Sequence, residues 1–349
     1  MNNIYFAVNL FPGKVSGPTY SVTNLAKQIN GIGEQYKAHV ISTNKHFNES
    51  CEINNIAVHT FDYLSRSAKH DDILVINGIF ELNYLKIVLL CRKLGCRLII
   101  SPRSSLIKQS FRKSFTKKSI FILIFMLLIK RNKTTLHFLS MEEKANSFNI
   151  GLPSYIACNG FDTVRLDMAK GKFISYLGRY DINHKGIDIL LDAIFNSRAI
   201  FRKNKWIFRF AGSDFKGGYS YIEKYIHERK LNDFVEIHGP KFGVDKYNYL
   251  AESSAMVQPS RYEGVPQTIL EAISYGAYVI CSDMCNVGSI VKSYDAGISL
   301  CSINSRSISV EFEKVITGAY KTRVEQNDFR NDFSWNNVSK DFIRGLSNE

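Results

Sequence analysis

The sequence has no Cys-x-x-Cys pair. Its seven cysteines (Cys51, Cys91, Cys96, Cys158, Cys281, Cys285 and Cys301) are odd in number and scattered. That pattern excludes a disulfide framework and a zinc site, and it implies reduced thiols. Cys281 and Cys285 come nearest to a ligand pair, but they lack companions. No basic segment precedes the apolar residues of Met1-Asn-Asn-Ile-Tyr-Phe, so no signal peptide is expected and the expected compartment is the cytoplasm. No two aspartates stand two residues apart, so an Asp-x-Asp metal site is missing. Short-period repeats and low-complexity tracts are missing too. The apolar run Ile120–Ile129 is about half the ~20 residues needed to span a bilayer. Acidic residues are the most unevenly withheld: none occurs between Glu81 and Glu142.

What is present fits a soluble globular chain of two domains, with 349 residues, 45% hydrophobic and 22% charged. The formal net charge of +13 is lopsided. Residues 1–150 carry 20 Lys and Arg against 9 Asp and Glu, a net +11, whereas residues 151–349 carry 25 against 23, a net +2. One surface of the first half is therefore strongly basic and suits an anionic partner. Strands are expected at 3–8, 39–43, 73–77, 98–101 and 136–140, with helices from about Thr19, at 82–94 and at 118–131. A second series of strands follows at 173–178, 207–212, 235–239, 255–259, 278–282 and 297–300. Alternating strands and helices imply parallel sheets covered on both faces, and two such series imply two Rossmann-like domains. The join falls near 150–172, where Gly, Pro and charged residues replace apolar runs.

One stretch organises the rest: Val257-Gln-Pro-Ser-Arg-Tyr-Glu-Gly-Val-Pro-Gln-Thr-Ile-Leu-Glu-Ala-Ile-Ser-Tyr-Gly276. It reads as strand, turn and helix, with Pro266 expected at the first helical position and Gly276 at the end. Glu263 on the turn and Glu271 in the helix bracket a helix N-terminus, which offers free N–H groups and a partial positive charge to a phosphate. On spacing alone, two such glutamates would more often be solvated charges. The surrounding words alter that reading. Pro259-Ser260, Glu263-Gly264, Glu271-Ala272, Gly276 and Val279-Ile280 resemble the signature of the retaining glycosyltransferases of family 4, the group 1 enzymes of bacterial polysaccharide and lipopolysaccharide synthesis.

The resemblance implies an α/β chain of the GT-B fold, with two Rossmann-like parallel-sheet domains facing each other across a cleft. Residues 1–155 would form the acceptor-side domain and 156–330 the nucleotide-sugar domain. Residues 331–349, with Phe333-Ser334-Trp335 matching the family, would cross back as a helix onto the first domain. Asn159-Gly160-Phe161-Asp162 matches the family's word at the join. It further implies that Glu263 contacts donor-sugar hydroxyls, that the amides of Gly264 and Val265 hold sugar or phosphate, and that Glu271 takes the ribose. Thr268 could offer a hydroxyl to a phosphate oxygen, Gly17 faces the donor phosphates, and Gly239 lies where the family keeps the nucleobase. Tyr176-Leu177-Gly178-Arg179 and His184-Lys185-Gly186 set an arginine and a lysine at a strand end beside a helix mouth, a placement that suits a diphosphate. The family's matching pair would make Arg179 and Lys185 neutralise the leaving nucleoside diphosphate without a metal or other cofactor.

The first domain departs further. Asn77-Gly78 stands where many relatives carry His-Gly, and Asn77 provides no base there. Pro102-Arg103-Ser104-Ser105-Leu106 resembles a word of some relatives, so Arg103 either faces the acceptor or is a surface arginine. The run 120–129, with Lys117, Lys118, Lys130 and Arg131 at its ends, is either a buried helix or a segment lying on anionic lipid. The expected protein is a retaining, metal-independent hexosyltransferase on the inner face of the plasma membrane. Its donor would be a UDP- or GDP-linked hexose or N-acetylhexosamine, and its acceptor a free or lipid-linked glycan of an O-antigen, capsule or lipopolysaccharide. A nucleotide-sugar epimerase or a phosphorylase on the same fold is the enzymatic rival, although a phosphorylase needs a far longer chain. A basic nucleic-acid-binding protein would account for the +11 half but not for the glutamate turn, and no nucleic-acid motif is present.

Overall fold

A computed structural model describes residues 2–347 apart from 11–16, 34, 45–46, 48–49, 54, 109–114, 131, 163, 167 and 321. Most of the turn-rich loop after the first strand, the start of the basic stretch at 111–118, and Arg131 thus lie outside the described residues. The chain divides into two compact units, Met1–Gly160 with Phe333–Glu349, and Phe161–Asp332.

The first unit holds β1 (Asn2–Val8), β2 (Tyr36–Ser42), β3 (Cys51–Ile53), β4 (Ile56–His59), β5 (Ile73–Asn77), β6 (Arg97–Ser101), β7 (Thr134–Phe138) and β8 (Ser154–Ile156). Their order is β3-β4-β2-β1-β5-β6-β7-β8, and the pairing of β3 with β4 is the antiparallel one. β1 shows why the strands read as unbroken apolar runs. Tyr5 and Ala7 pack with Leu74, Ile76 and Leu98, while Ile4, Phe6 and Val8 pack with Val22, Leu25 and Ile29 of the Gly17–Ile32 helix. A strand buried on both faces has no polar side to alternate with.

The last helix, Trp335–Ser347, joins this same core. Phe342 meets Phe6 at 5.6 Å between ring centroids and the His137 ring edge-on at 5.1 Å. Gly160 lies so close against Trp335 that any Cβ would overlap its ring.

The Leu82–Leu94 helix has the expected bounds, and Gly95 caps it in the left-handed region (φ 74°). The next helix spans Phe115–Ile129, beginning about a turn earlier than the sequence suggested. One face of this helix is buried and the other is exposed. Phe125 and Ile129 are buried in the core, whereas Ile120, Leu123, Ile124 and Leu127 are 48–64% exposed. Among the described residues no helix is long and apolar enough to cross a membrane.

The second unit holds β9 (Phe173–Leu177), β10 (Ile207–Ala211), β11 (Val235–His238), β12 (Ala255–Gln258), β13 (Tyr278–Ser282) and β14 (Gly297–Leu300). All pairings are parallel, in the order β11-β10-β9-β12-β13-β14. The chain moves outward from β9 to β10 and β11, then returns to β12. The strand order therefore reverses between β9 and β12, and in open parallel sheets ligands bind outside the carboxyl ends at such a reversal. Ile187, Leu190, Leu191 and Ile194 anchor the Ile187–Asn196 helix under this edge, all fully buried. Each such side chain contributes about 1.5–3 kcal/mol.

One expectation fails here. Pro266 is not the first helical residue, because the helix is Gln267–Ser274 and Pro266 is its cap, with φ −66° and ψ 116°. The extended ψ keeps the Pro266 carbonyl within reach of the Ile269 N–H at 3.1 Å. At the other end Gly276 takes φ 74° and donates to the Ile273 carbonyl, while the Ala277 N–H reaches back to Ala272 at 3.0 Å. These paired bonds make a Schellman cap, which needs a residue that tolerates the left-handed region.

Candidate active site

The loop after β9 and the loop after β12 are tied together by their own backbone. Gly186 adopts φ 67°, and any Cβ there would collide with the Pro259 carbonyl. Only glycine lets the 181–186 turn lie this close to Pro259. Arg261 N donates to the His184 carbonyl at 2.9 Å, and the Arg261 guanidinium forks onto both Asp188 oxygens at 2.8 and 2.7 Å. His184 Nε2 lies 2.7 Å from the Tyr262 carbonyl, and the two rings stack at 4.2 Å. Burial lowers the His184 pKa, with Glu263 opposing, and the ring straps the two loops together.

This closure brings Lys185 Nζ to 2.5 Å from Glu263 Oε1, both side chains about 15% exposed. Ser260 Oγ donates to the same oxygen at 3.1 Å. The Glu263 backbone is fixed on both sides, its N–H donating to Met284 O at 2.8 Å and its carbonyl accepting from Asn286 Nδ2 at 2.6 Å. Glu263 is thus held by three segments, with its side chain charge-matched by Lys185. Arg179 is set differently. It is 46% exposed, lies 3.6 Å from Asp181, and stacks its guanidinium on Phe215 at 4.3 Å.

Beyond Glu263, the N–H groups of Gly264, Val265 and Thr268 have no protein acceptor among the described residues. Val265 is buried and Thr268 half-buried. These amides open at the mouth of the Gln267–Ser274 helix, where an anion is favoured. Glu271 lies one turn inside that helix, only 2% exposed, with Lys246 Nζ at 2.8 Å from its Oε1. Burial raises the Glu271 pKa, and the Lys246 ammonium opposes the shift while nearby Asp162 adds to it. Lys246 belongs to the Gly243–Glu252 helix after β11 and was not among the residues singled out from sequence. Asn286 and the Arg261–Asp188 fork were missed as well, and Ser260 stood in the quoted signature without a role of its own. Gly239 follows β11 as an exposed glycine, and nothing lies within 4 Å of where its Cβ would be.

In the first unit Asn77 and Arg103 come together. Arg103 Nε donates to Asn77 Oδ1 at 3.3 Å and its Nη1 to Asn159 Oδ1 at 2.6 Å. Asn77 Nδ2 donates to the Ala7 carbonyl at 3.2 Å. Arg103 is therefore no free surface arginine. Burial lowers its pKa, Glu143 opposes this, and its backbone takes φ 49°. Gly17 begins the first helix and is exposed, its Cβ position meeting nothing within 4 Å.

Residues 165–331 match the model of the family described as Glycosyl transferases group 1. A glycogen synthase of Thermodesulfovibrio yellowstonii is 29% identical over 187 residues, which are 50% of this chain and 35% of that protein. The chain thus spans about a third of the length of this relative. Among solved structures, Alr3699/HepE of Anabaena in complex with UDP superposes with a TM-score of 0.77 at 14% identity, covering 100% of both chains. The lipopolysaccharide outer core galactosyltransferase WaaB superposes with a TM-score of 0.70 at 15% identity, covering 99% of both chains. The second unit thus resembles the glycosyl transferases group 1 family over residues 165–331, and the chain has the fold of the GT-B glycosyltransferases.

Proposed function

We propose that the protein is a retaining glycosyltransferase that moves a hexose or N-acetylhexosamine from a UDP- or GDP-linked donor to a glycan of a surface polysaccharide or lipopolysaccharide. The observation that carries this reading is the helix mouth in the second unit. Three unsatisfied amides sit there between two carboxylates, and each carboxylate is already matched by a lysine. A nucleoside diphosphate sugar has the complementary groups. Its ribose hydroxyls suit Glu271, its sugar hydroxyls suit Glu263, and its phosphates suit the amides with Lys185 and Arg179.

In transfer, the bond from the sugar's anomeric carbon to the phosphate oxygen breaks, and the electron pair leaves with the diphosphate. A bond from the acceptor oxygen forms on the same face, and the leaving phosphate takes the acceptor proton. The charge that grows on the diphosphate is met by Lys185, Arg179 and the free amides. Lys185 starts out bound to Glu263, so donor binding redistributes an existing ion pair. This account needs no divalent metal.

The acceptor side is supported by the first unit's charge and by its Phe115–Ile129 helix. Ile120, Leu123, Ile124 and Leu127 are exposed beside Lys117 and Lys130. An apolar strip with basic ends suits an anionic lipid surface, which would place the enzyme on the inner face of the plasma membrane beside a lipid-linked acceptor. A transfer assay tests the function: purified protein, a panel of UDP- and GDP-sugars, and lipid-linked glycan acceptors. Formation of a longer glycan with the donor's anomeric configuration is expected. Interconversion of nucleotide sugars without transfer would mean an epimerase. Salt-dependent DNA binding without any nucleotide-sugar reaction would mean a nucleic-acid-binding protein.

A further inference from the structure

A polar cavity of about 270 Å³ opens in the first unit, away from every group used above. The chain runs from β1 to β2 and β4 on one side and from β5 to β8 on the other, so the strand order reverses beside β1. The cavity draws its walls from segments just past the carboxyl ends on both sides. Thr43, Asn44 and Phe47 follow β2, Asp62 follows β4, and Asn83 and Lys86 stand on the helix after β5. That is where an open parallel sheet receives ligands.

The walls are fixed before any ligand arrives. Asn83 Nδ2 donates to the Thr43 carbonyl at 2.6 Å, and Thr43 N donates to the Val8 carbonyl at 3.0 Å. Thr43 Oγ1 reaches Glu81 Oε2 at 3.3 Å. Burial raises the Glu81 pKa, with hydrogen bonds from Asn9 and Thr43 opposing, and Asn9 Oδ1 is buried with no partner. Thr43, one wall of the cavity, is thus fixed through its backbone and its hydroxyl.

The lining selects the ligand class. It mixes a carboxylate, an ammonium, two amides and three hydroxyls with two phenyl rings, and its charges cancel. A ligand with several hydroxyls and no net charge meets such a wall best, because it both donates and accepts hydrogen bonds. The volume is close to the lower end of ligand pockets, ~300 Å³, and suits one sugar ring better than a nucleotide. We propose that this cavity is an acceptor subsite that holds one neutral sugar ring of the glycan. Its assignment to an acceptor rests on the transferase reading above; its ability to bind a sugar does not.

Saturation-transfer NMR on the full chain tests it, with the methyl glycosides of glucose, galactose and N-acetylglucosamine as probes. Asp62→Ala and Lys86→Ala serve as variants, since both residues are exposed and their loss leaves the core intact. Saturation transfer is expected from at least one glycoside, weakened roughly two- to twelvefold in each variant and unaffected by UDP or GDP. Silence from all three glycosides, an undiminished signal in either variant, or displacement by the nucleotide would overturn the subsite. Thermal shift with UDP and GDP in the same samples separates the two readings. Nucleotide binding without glycoside binding removes the subsite and leaves the transferase. Glycoside binding without nucleotide binding leaves a sugar site and removes the transferase.

Discussion

The two units hold their charged groups in opposite ways. In the second, both carboxylates of the site have a lysine in contact, Glu263 with Lys185 at 2.5 Å and Glu271 with Lys246 at 2.8 Å. In the first, Arg103 is bound by two neutral amides, Asn77 and Asn159, while the fully buried Glu143 accepts from the N–H groups of Ser104 and Leu139. The second site is therefore charge-balanced without a ligand, and under the proposed function a ligand would bind it by exchanging partners. The first unit keeps its polar centre fixed by hydrogen bonds and carries its excess charge outside. Removing one member of a buried pair strands the other, so the larger effects are expected in the second unit.

Breaking the Lys185–Glu263 pair should have the largest effect. Lys185→Ala should lower kcat by ~10²–10³, about 2.7–4 kcal/mol, with less effect on KM, because the cation acts where charge develops. Lys185→Arg should restore this only in part, since a planar fork replaces a compact ammonium. Steady-state kinetics in a transfer assay check both, and a variant that raises KM alone would make Lys185 a ground-state binder.

Next comes Glu271→Gln, which should weaken nucleotide binding by about 1.5–3 kcal/mol, roughly 10- to 150-fold, as measured by calorimetry. The Lys246 contact adds a pH signature. Burial already raises the Glu271 pKa, and under the proposed function only the ionised carboxylate would accept from both ribose hydroxyls. Nucleotide affinity should therefore be present above that pKa and fall as pH drops through it. Lys246→Met removes the opposing charge and should move this loss to higher pH. A profile unchanged by Lys246→Met would break the coupling.

A smaller effect is expected outside the first unit's core. Replacing Lys117 and Lys130 with Gln should weaken binding to anionic vesicles by about 1 kcal/mol per charge, an effect that salt should screen. Cosedimentation equal to wild type at low salt would argue against this surface. The smallest expected effect is none at all: turnover should persist in excess chelator. If chelator abolishes turnover and manganese restores it, the cation clamp is wrong.

The sequence disclosed what is buried on both sides. Strands such as Ile73–Asn77 and Tyr278–Ser282 are continuous apolar runs because helices cover both faces, and a run of that kind survives as a signal without any partner in view. The β3–β4 hairpin and β8 were illegible because they are short and half-exposed. Cys51-Glu52-Ile53 becomes a strand only through its pairing with Ile56–Val58. At the site, Glu263, Glu271 and Lys185 were legible because they stand in dense, specific words. Lys246 was not, since it lies 25 residues from Glu271 on another helix, and only the folded sheet brings the two together. Pro266 was misplaced by one position because proline's φ suits both a first helical turn and an extended cap, and ψ alone separates them.

The claim that the second unit's helix mouth takes a nucleoside diphosphate is tested most directly by ligand-induced thermal shift with UDP and GDP on wild type and Glu271→Gln. One of the two nucleotides, at ~100 times its dissociation constant, should stabilise the wild type by about 2.7 kcal/mol, and at that same concentration it should stabilise Glu271→Gln far less. No shift with either nucleotide, or an equal shift in both proteins, would contradict the account.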